Sequence, residues 1–244
     1  MMSLEGHLDE LRRRLFWMLI VYLPAVGVLF FNAHWVTALL LLPAHGSLHR
    51  LVFLSPTEVL FTYLKIAMVG ALVGTSPFIA YQVGAFVWPA LTPRERRFGV
   101  TYIPTAVLLF WAGAAFGYFV FVPLVLRFLL AFGGQGLEAM ISYSQYVGFV
   151  LNLMLPFALL FEFPMVVVVL TGLGIITPGW LRRNRRWAIF VIFVIAAAIA
   201  PPDLGSMLVM VAPMLALYEV GIWVSTIAAR KRQEAEAADE EHPA

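Results

Sequence analysis

The sequence lacks the residues on which several kinds of chemistry depend. It contains no cysteine, which excludes disulfide bonds, thiolate nucleophiles and cysteine-based metal sites. It also has no glycine-rich phosphate loop, no HExxH motif and no credible Ser-His-Asp arrangement, and its five histidines are scattered. We therefore predict a protein that is not an enzyme and that binds neither a cofactor nor a metal ion.

Charged residues are scarce as well. They make up 12% of the 244 residues, whereas 62% are hydrophobic; soluble domains are about 25% charged and about 45–50% apolar. The formal net charge of +2 is too small to suggest nucleic acid as a partner. The first apolar run follows "LRRRL" and has no small-residue cleavage site, so it does not read as a secretory signal. The composition predicts a membrane protein in contact with lipids.

The long apolar runs predict an all-α polytopic membrane protein with six transmembrane helices. Residues 1–228 form one predicted domain, which includes an amphipathic N-terminal segment at 3–14, and the charged tail at 229–244 is predicted to be disordered. The fifth span has about 14 residues, or about 21 Å of helix, and with the sixth it is predicted to be short for a ~30 Å bilayer core. The predicted spans are about residues 15–31, 59–88, 99–124, 146–173, 187–200 and 204–228.

The basic residues indicate the orientation. Thirteen of the 16 Lys and Arg residues lie in four clusters, at residues 12–14, 94–97, 182–186 and 230–232. Six spans place all four clusters on one side of the membrane, whereas five or seven would divide them. Because Lys and Arg concentrate in cytoplasmic loops, both termini are predicted to face the cytoplasm.

Two glutamates lie within these basic clusters. Glu10 can pair with Arg14 at the i, i+4 spacing of a helix, and Glu95 stands between Arg94 and Arg96. One interpretation is that adjacent arginines neutralise both acids on a solvated surface. The other is that the two carboxylates receive a basic ligand, since carboxylates bind guanidinium groups bidentately and lysine is a poor substitute. The residues alone leave both interpretations open.

Other ionisable residues lie in or near the apolar runs. Each would cost about 2.5–3.5 kcal/mol at a helix centre. For two of them a structural role at a helix start is predicted: Glu58 in "SPTE", where Ser55 and Pro56 begin the helix, and Asp203, which can cap the sixth helix. Lysine near a helix end can extend its side chain to the interface. The set comprises Glu58, Lys65, Glu162, Asp203 and Glu219.

Glu162 is the strongest candidate for a role inside the membrane. Pro156 and Pro164 lie on either side of it and free backbone groups that polar neighbours can satisfy. Ionisable residues in membrane spans usually face a bundle interior, a water-filled cavity or a partner, and we predict such a position for Glu162. A protonated acid satisfied within its own bundle is the structural alternative.

Six motifs in order resemble the TatC subunit of the twin-arginine protein translocase, over nearly the whole chain. They are "HLDELRRRL", "SPTEVLFTYLK", "YQVGAFVWPALTPRERR", "FEFP", "APPD" and "LYEVGIW". The resemblance implies a six-helix bundle shaped like a cupped hand in the bacterial cytoplasmic (inner) membrane. It also implies binding of the twin-arginine signal peptides of folded precursor proteins, assembly with TatA-like and TatB-like single-span proteins and with further copies of the chain, and export driven by the proton motive force.

The resemblance also assigns roles to residues. Glu10, Glu95, Phe86 and Arg12 match the positions that bind signal peptides on the cytoplasmic face. Glu162 matches an acid that binds partner helices within the membrane. In the family, a structural cap covers the outer face of the protein, opposite the cytoplasm. The residues that match it here are Pro43, Pro56, Glu58 and Asp203.

Two other functions fit part of the sequence. A proton-coupled secondary transporter could use Glu162 and Glu219 as carriers, but the chain shows no inverted repeat. A scaffold or permease subunit of an ATP-driven exporter would need a cytoplasmic coupling loop for an ATPase, and "LRRNRRW" could be misread as one. The order of the motifs ranks both below the translocase.

Overall fold

Helices form almost all of the part of the chain that the computed structural model describes, which is residues 4–44, 51–87, 93–131, 140–200 and 203–241. Two short strands, β1 (Leu51–Val52) and β2 (Ile141–Ser142), pair in parallel. The helices are α1 (Leu4–Phe31), α2 (Ala33–Leu40), α3 (Pro56–Val87), α4 (Pro93–Phe116), α5 (Val122–Ala131), α6 (Tyr143–Leu160), α7 (Phe163–Gly172), α8 (Pro178–Arg183), α9 (Arg185–Ile199) and α10 (Leu204–Glu241).

The predicted amphipathic segment and the first span form one continuous helix, α1. Leucines that share one face at the start of this helix form an apolar stripe, and the stripe is exposed: Leu8 is 65%, Leu11 43% and Leu15 53% accessible. Because an apolar stripe that the protein does not cover must meet lipid or another apolar surface, this end of α1 is suited to the membrane interface.

Five helical stretches in the described chain are long and apolar enough to cross a membrane. The fifth predicted span corresponds to α9, which has 15 residues and is short, as predicted. The prediction of a short sixth helix is wrong, because α10 runs for 38 residues. It continues to Glu241, in a stretch where Ala, Glu, Lys, Arg and Gln all favour helix; the disordered tail at 229–244 stays a prediction.

Two of the predicted spans contain irregular turns. The third is longer than predicted and is divided by a π-helical turn, Gly117–Phe121, between α4 and α5. The fourth divides at Phe161 and Glu162, between α6 and α7. Pro156 lies inside α6, whereas Pro164 lies in the first turn of α7, where its missing N–H costs nothing.

The helices pack in two compact units, Met1–Ala158 and Leu159–Ala244. The prediction of one domain over residues 1–228 stays a prediction. In the first unit, Phe110, Ala114 and Ala158 form a buried apolar cluster, and Gly117 lies so close to Met154 that a Cβ there would be 2.9 Å from the Met154 Cα. These contacts bring α4, its π-helical turn and α6 together.

In the second unit, α10 packs against α7 and α8. The buried hydroxyls of Thr171 and Ser225 are 2.9 Å apart, and the Tyr218 hydroxyl donates to the Leu181 carbonyl at 2.7 Å. The ring of Phe163 fills the space that a side chain at Gly221 would need. The unit thus joins its helices by apolar packing and by paired polar groups.

Two tyrosines of the first unit hold the C-terminal end of α2. The Tyr146 hydroxyl donates to the Leu40 carbonyl at 3.0 Å, and the Tyr118 hydroxyl donates to the Leu39 carbonyl. Carbonyls in the last turn of a helix have no partner within the helix, so these bonds satisfy them. Pro43 follows directly, in a 3-10 turn at Leu42–Ala44.

Candidate functional site

A buried polar network joins the first turns of α1 to the last turns of α3. The Arg14 guanidinium donates from Nη2 to Glu10 Oε1 at 2.6 Å and from Nε to the same oxygen at 3.1 Å. Its Nη1 donates to Gln82 Oε1 at 3.2 Å. The predicted Glu10–Arg14 pair is therefore confirmed, and Gln82 is a third member that local spacing did not indicate.

The second carboxylate oxygen of Glu10 has no hydrogen-bond partner within the described chain, although it is buried. The Glu10 side chain is 13% and the Arg14 side chain 16% accessible. Buried polar atoms are nearly always paired, and leaving one unsatisfied costs about 1–3 kcal/mol. The second oxygen of Glu10 is therefore a hydrogen-bond acceptor that the described chain does not use.

The other residues predicted to bind signal peptides differ in their solvent exposure and in the helix that carries them. Arg12 is exposed on α1, and Phe86 is half-buried in the last turn of α3. Glu95 belongs to α4, but its side chain is outside the described part of the structure. Gly84 lies next to Ile103, whose Cγ1 would be 2.8 Å from a Cβ at that position. This close approach brings α4 against the end of α3 that carries Gln82 and Phe86.

The other end of α3 carries a second polar site. The predicted helix start is confirmed: α3 begins at Pro56, and Ser55 Oγ accepts the Glu58 N–H at 3.2 Å. The Glu58 carboxylate accepts the Leu54 N–H at 2.7 Å and the Ser144 N–H at 3.0 Å. Glu58 therefore links the first turns of α3 and α6, close to the paired strands β1 and β2.

Asp203 caps α10, as the sequence predicts. The Ser206 hydroxyl donates to its carboxylate, and the Ser206 N–H donates to Oδ1 at 2.7 Å. These hydrogen bonds, the hydroxyl first, lower the pKa of Asp203 below its ordinary value, because they favour the charged form. The acid therefore has a sufficient structural role at the helix end.

Glu162 lies at the break between α6 and α7. Its N–H donates to the Leu159 carbonyl at 3.1 Å, and its own carbonyl accepts the Val166 N–H at 2.9 Å, so the backbone stays paired through the break. The side chain is half-buried and does not cap α7. A carboxylate held at a helix break inside an apolar stretch has the position expected of a polar contact site.

An ion pair explains how the charged side chain of Glu219 is accommodated on an apolar helix. Its carboxylate pairs with the Arg185 guanidinium at 2.7 Å, and the two side chains are 54% and 50% accessible. Arg185 begins α9 within a basic cluster, so Glu219 lies towards the charged end of α10. Both side chains are exposed in the described chain, and Glu219 lies within the candidate span Leu204–Arg230.

Sequence reasoning missed the partners that lie far apart in the chain. Gln82 was not a candidate, although a glutamine near the end of an apolar helix is a polar group that needs a partner. Trp111 Nε1 donates to the Ser76 hydroxyl at 2.9 Å and to the Val73 carbonyl at 3.2 Å. Because Pro77 lacks an N–H, it leaves the Val73 carbonyl without its helical donor, and that was a signal for such a bond.

Several long apolar helices, short connections and paired polar groups at the helix ends define a multi-pass α-helical membrane protein. Within the described residues, no group of three His, Cys, Asp or Glu side chains could hold a metal ion. The geometry describes a polar network between the ends of two helices, α1 and α3.

Comparison with known proteins shows which family of multi-pass membrane proteins the chain matches. The family model of the Sec-independent protein translocase protein (TatC) matches residues 6–213. A TatC from Aquifex aeolicus is 40% identical over 241 residues, 97% of this chain and 100% of that protein. One from Carboxydothermus hydrogenoformans is 39% identical over 225 residues, 92% of this chain and 93% of that protein.

Solved structures agree with the sequence matches. A crystal structure of a twin arginine translocase receptor, TatC, superposes with a TM-score of 0.82 at 39% identity, and covers 91% of this chain and 99% of that one. The chain belongs to the TatC family. It is a protein-transport component of the twin-arginine pathway and a multi-pass protein of the inner membrane.

Proposed function

We propose that this chain is the core receptor subunit of the twin-arginine translocase. It binds the twin-arginine signal peptides of folded precursor proteins and assembles with TatA-like and TatB-like single-span proteins, and with further copies of itself. Export is driven by the proton motive force. The crystal structure that it resembles is described as a twin arginine translocase receptor, which supports this role.

The observation that supports the proposal is the incomplete hydrogen bonding of the Glu10 carboxylate. Arg14 occupies only one of its carboxylate oxygens, and the other is buried without a partner in the described chain. Paired guanidinium groups in a ligand suit such acceptors, because N–H groups in a planar fork match carboxylate geometry whereas an ammonium group acts as a point charge. We propose that Glu95 supplies the second carboxylate, with Phe86 and exposed Arg12 beside it.

The proposal includes a topology of six spans with both termini in the cytoplasm. Gln82 and Glu58 are 24 residues apart on α3, and the helical rise separates them by about 36 Å. That distance exceeds the ~30 Å hydrocarbon core. We place the Glu10 site on the cytoplasmic face and the cap, with Pro43, Pro56, Glu58 and Asp203, on the outer face.

We also propose that Glu162 binds partner helices within the membrane. The helix break at Phe161 and Glu162 supports this role, since it places a carboxylate where a membrane helix has lost its regular ladder. We expect Glu162→Ala to weaken crosslinking to a single-span partner more than it weakens signal-peptide binding. Equal loss of both would contradict the assignment.

The transporter alternative is not favoured. It needs two intramembrane acids that exchange protons, and Glu219 is held in an ion pair with Arg185. Only Glu162 then remains as a carrier candidate, and the family match is to a protein translocase.

The decisive experiment measures binding of a fluorescent signal peptide to the detergent-purified protein. Peptides with Arg-Arg and with Lys-Lys are titrated against the wild type and the Glu10→Ala plus Glu95→Ala variant. We expect the wild type to prefer Arg-Arg by about tenfold or more, the equivalent of one charged hydrogen bond, and the double variant to lose that preference.

Asp9→Ala is the matched control. Asp9 adjoins Glu10 and is exposed on α1, so its removal takes away one negative charge, against two in the double variant, without touching the partly buried network. Equal binding of the two peptides by the wild type, or an undiminished preference in the double variant, would contradict the receptor assignment.

A further inference from the structure

The Arg14 guanidinium is shared between two acceptors that lie on different helices. Two of its N–H groups converge on one oxygen, Glu10 Oε1, and a third reaches Gln82 Oε1 on α3. Guanidinium groups that pair with an isolated carboxylate usually present two parallel N–H groups to both oxygens. The observed pairing is one-sided, and the one-sidedness leaves Glu10 Oε2 unoccupied.

Gln82 is the contact that accounts for this geometry. It is 8% accessible, so its amide is held by packing, and its oxygen accepts Arg14 Nη1, the guanidinium nitrogen that does not bond to Glu10. Arg14 and Glu10 are four residues apart on the same helix. Without the hydrogen bond to Gln82, the Arg14 guanidinium could rotate relative to the Glu10 carboxylate. A bond to a second helix holds it in one orientation.

We infer that Gln82 is a positioning residue for signal-peptide recognition, an inference that rests on the proposed role of Glu10. By holding Arg14, Gln82 prevents the chain's own guanidinium from bridging both oxygens of Glu10. Oε2, which is buried in the peptide-free chain, is thereby left unpaired for a guanidinium that reaches it as the peptide binds. Without the Gln82 oxygen, Arg14 turns onto both oxygens and competes with the ligand for the same acceptor.

The test compares Gln82→Leu, which removes the acceptor at similar volume, with Gln82→Glu, which keeps an acceptor oxygen at the same reach. Each purified variant is titrated with the Arg-Arg and the Lys-Lys peptide, and the ratio of the two affinities is the readout. A partly unfolded variant binds both peptides less well but leaves the ratio unchanged, so the ratio separates positioning from structure.

We expect Gln82→Leu to lower the ratio about five- to tenfold, the effect of one hydrogen bond to a charged group, and Gln82→Glu to keep it near the wild-type value. An unchanged ratio in Gln82→Leu, with a wild type that still prefers Arg-Arg, overturns the positioning role alone. A wild type that binds both peptides equally overturns the proposed receptor function and this role with it.

Discussion

Individual carboxylates have different structural roles at the helix ends of this protein. Glu58 and Asp203 accept backbone N–H groups and so complete helix starts. Glu10 accepts a guanidinium at one oxygen and nothing in the described chain at the other. Because satisfied acceptors stabilise and unsatisfied ones cost free energy, the structure separates the two capping acids from Glu10, whose second oxygen has no partner in the described chain.

The cap at Asp203 leads to a prediction at the scale of one residue. Its pKa is lowered by the Ser206 hydroxyl and N–H, so its stabilising effect is complete above the ordinary pKa of 3.8 and is lost as the pH falls through the lower folded-state pKa. We expect Asp203→Ala to destabilise the protein by about 1 kcal/mol at pH 7. Thermal unfolding in detergent, followed by circular dichroism, measures this.

Asp203→Asn is the control for charge. The amide oxygen can still cap α10, so this variant should unfold closer to wild type at pH 7 and should show less change than wild type below about pH 3.8. A wild type and an Asn variant with parallel pH profiles would contradict the role of the charged form.

Local contacts were predictable and distant ones were not. The i, i+4 pair of Glu10 with Arg14 and the caps at Ser55 and Asp203 follow from spacing within one helix, and the structure confirms them. The bond from Arg14 to Gln82 crosses 68 residues. Nothing in helical periodicity specifies which polar groups of two helices meet, since that depends on how the helices cross.

At the scale of the helices, Gly117 sets how closely the π-helical turn and α6 approach. A Cβ at Gly117 would be 2.9 Å from the Met154 Cα and 3.2 Å from the Met154 carbonyl oxygen. These are backbone atoms, so relief requires movement of a whole helix. We expect Gly117→Ala to destabilise the protein by about 1–3 kcal/mol, measured as a lower midpoint of thermal unfolding in detergent.

Gly148→Ala is the matched control. Gly148 is also helical, and nothing lies within 4 Å of a Cβ added there, so alanine should be neutral or stabilise by up to about 1 kcal/mol through helix propensity. Similar losses at both glycines would mean that close helix approach is not the cause.

The helix interruptions show what composition can and cannot indicate. Pro156 and Pro164 predicted freed backbone groups around Glu162; the helix break lies at Glu162, with Pro164 in the first turn of α7, while Pro156 stays inside α6. The π-helical turn at Gly117–Phe121 lies in a sequence that periodicity reads as a continuous span. An extra residue in one turn leaves the apolar character unchanged, so hydropathy cannot detect it.

At the scale of the whole chain, the number of spans depends on α9. Its 15 residues give about 22 Å of helix, less than the ~30 Å hydrocarbon core. A helix this short can span only where the bilayer thins or where neighbouring helices shield its ends. The four basic clusters nevertheless lie on one side only if α9 crosses.

The absence of cysteine makes this question testable by single-cysteine labelling. We choose Leu54→Cys, before α3, where the side chain is 79% exposed, together with Arg183→Cys in α8 and Arg230→Cys in α10, both exposed. A membrane-impermeant maleimide is added to spheroplasts before and after permeabilisation. With six spans, Leu54→Cys reacts from outside and the other two react only after permeabilisation.

The comparison of Arg183→Cys with Arg230→Cys decides the role of α9, because only α9 and α10 lie between them. If α9 crosses, two crossings separate the sites and both share one side. If α9 lies along the surface, one crossing separates them, and Arg230→Cys reacts from outside while Arg183→Cys stays protected. That second result would move the C-terminus out of the cytoplasm and divide the basic clusters, against the charge distribution that supports six spans.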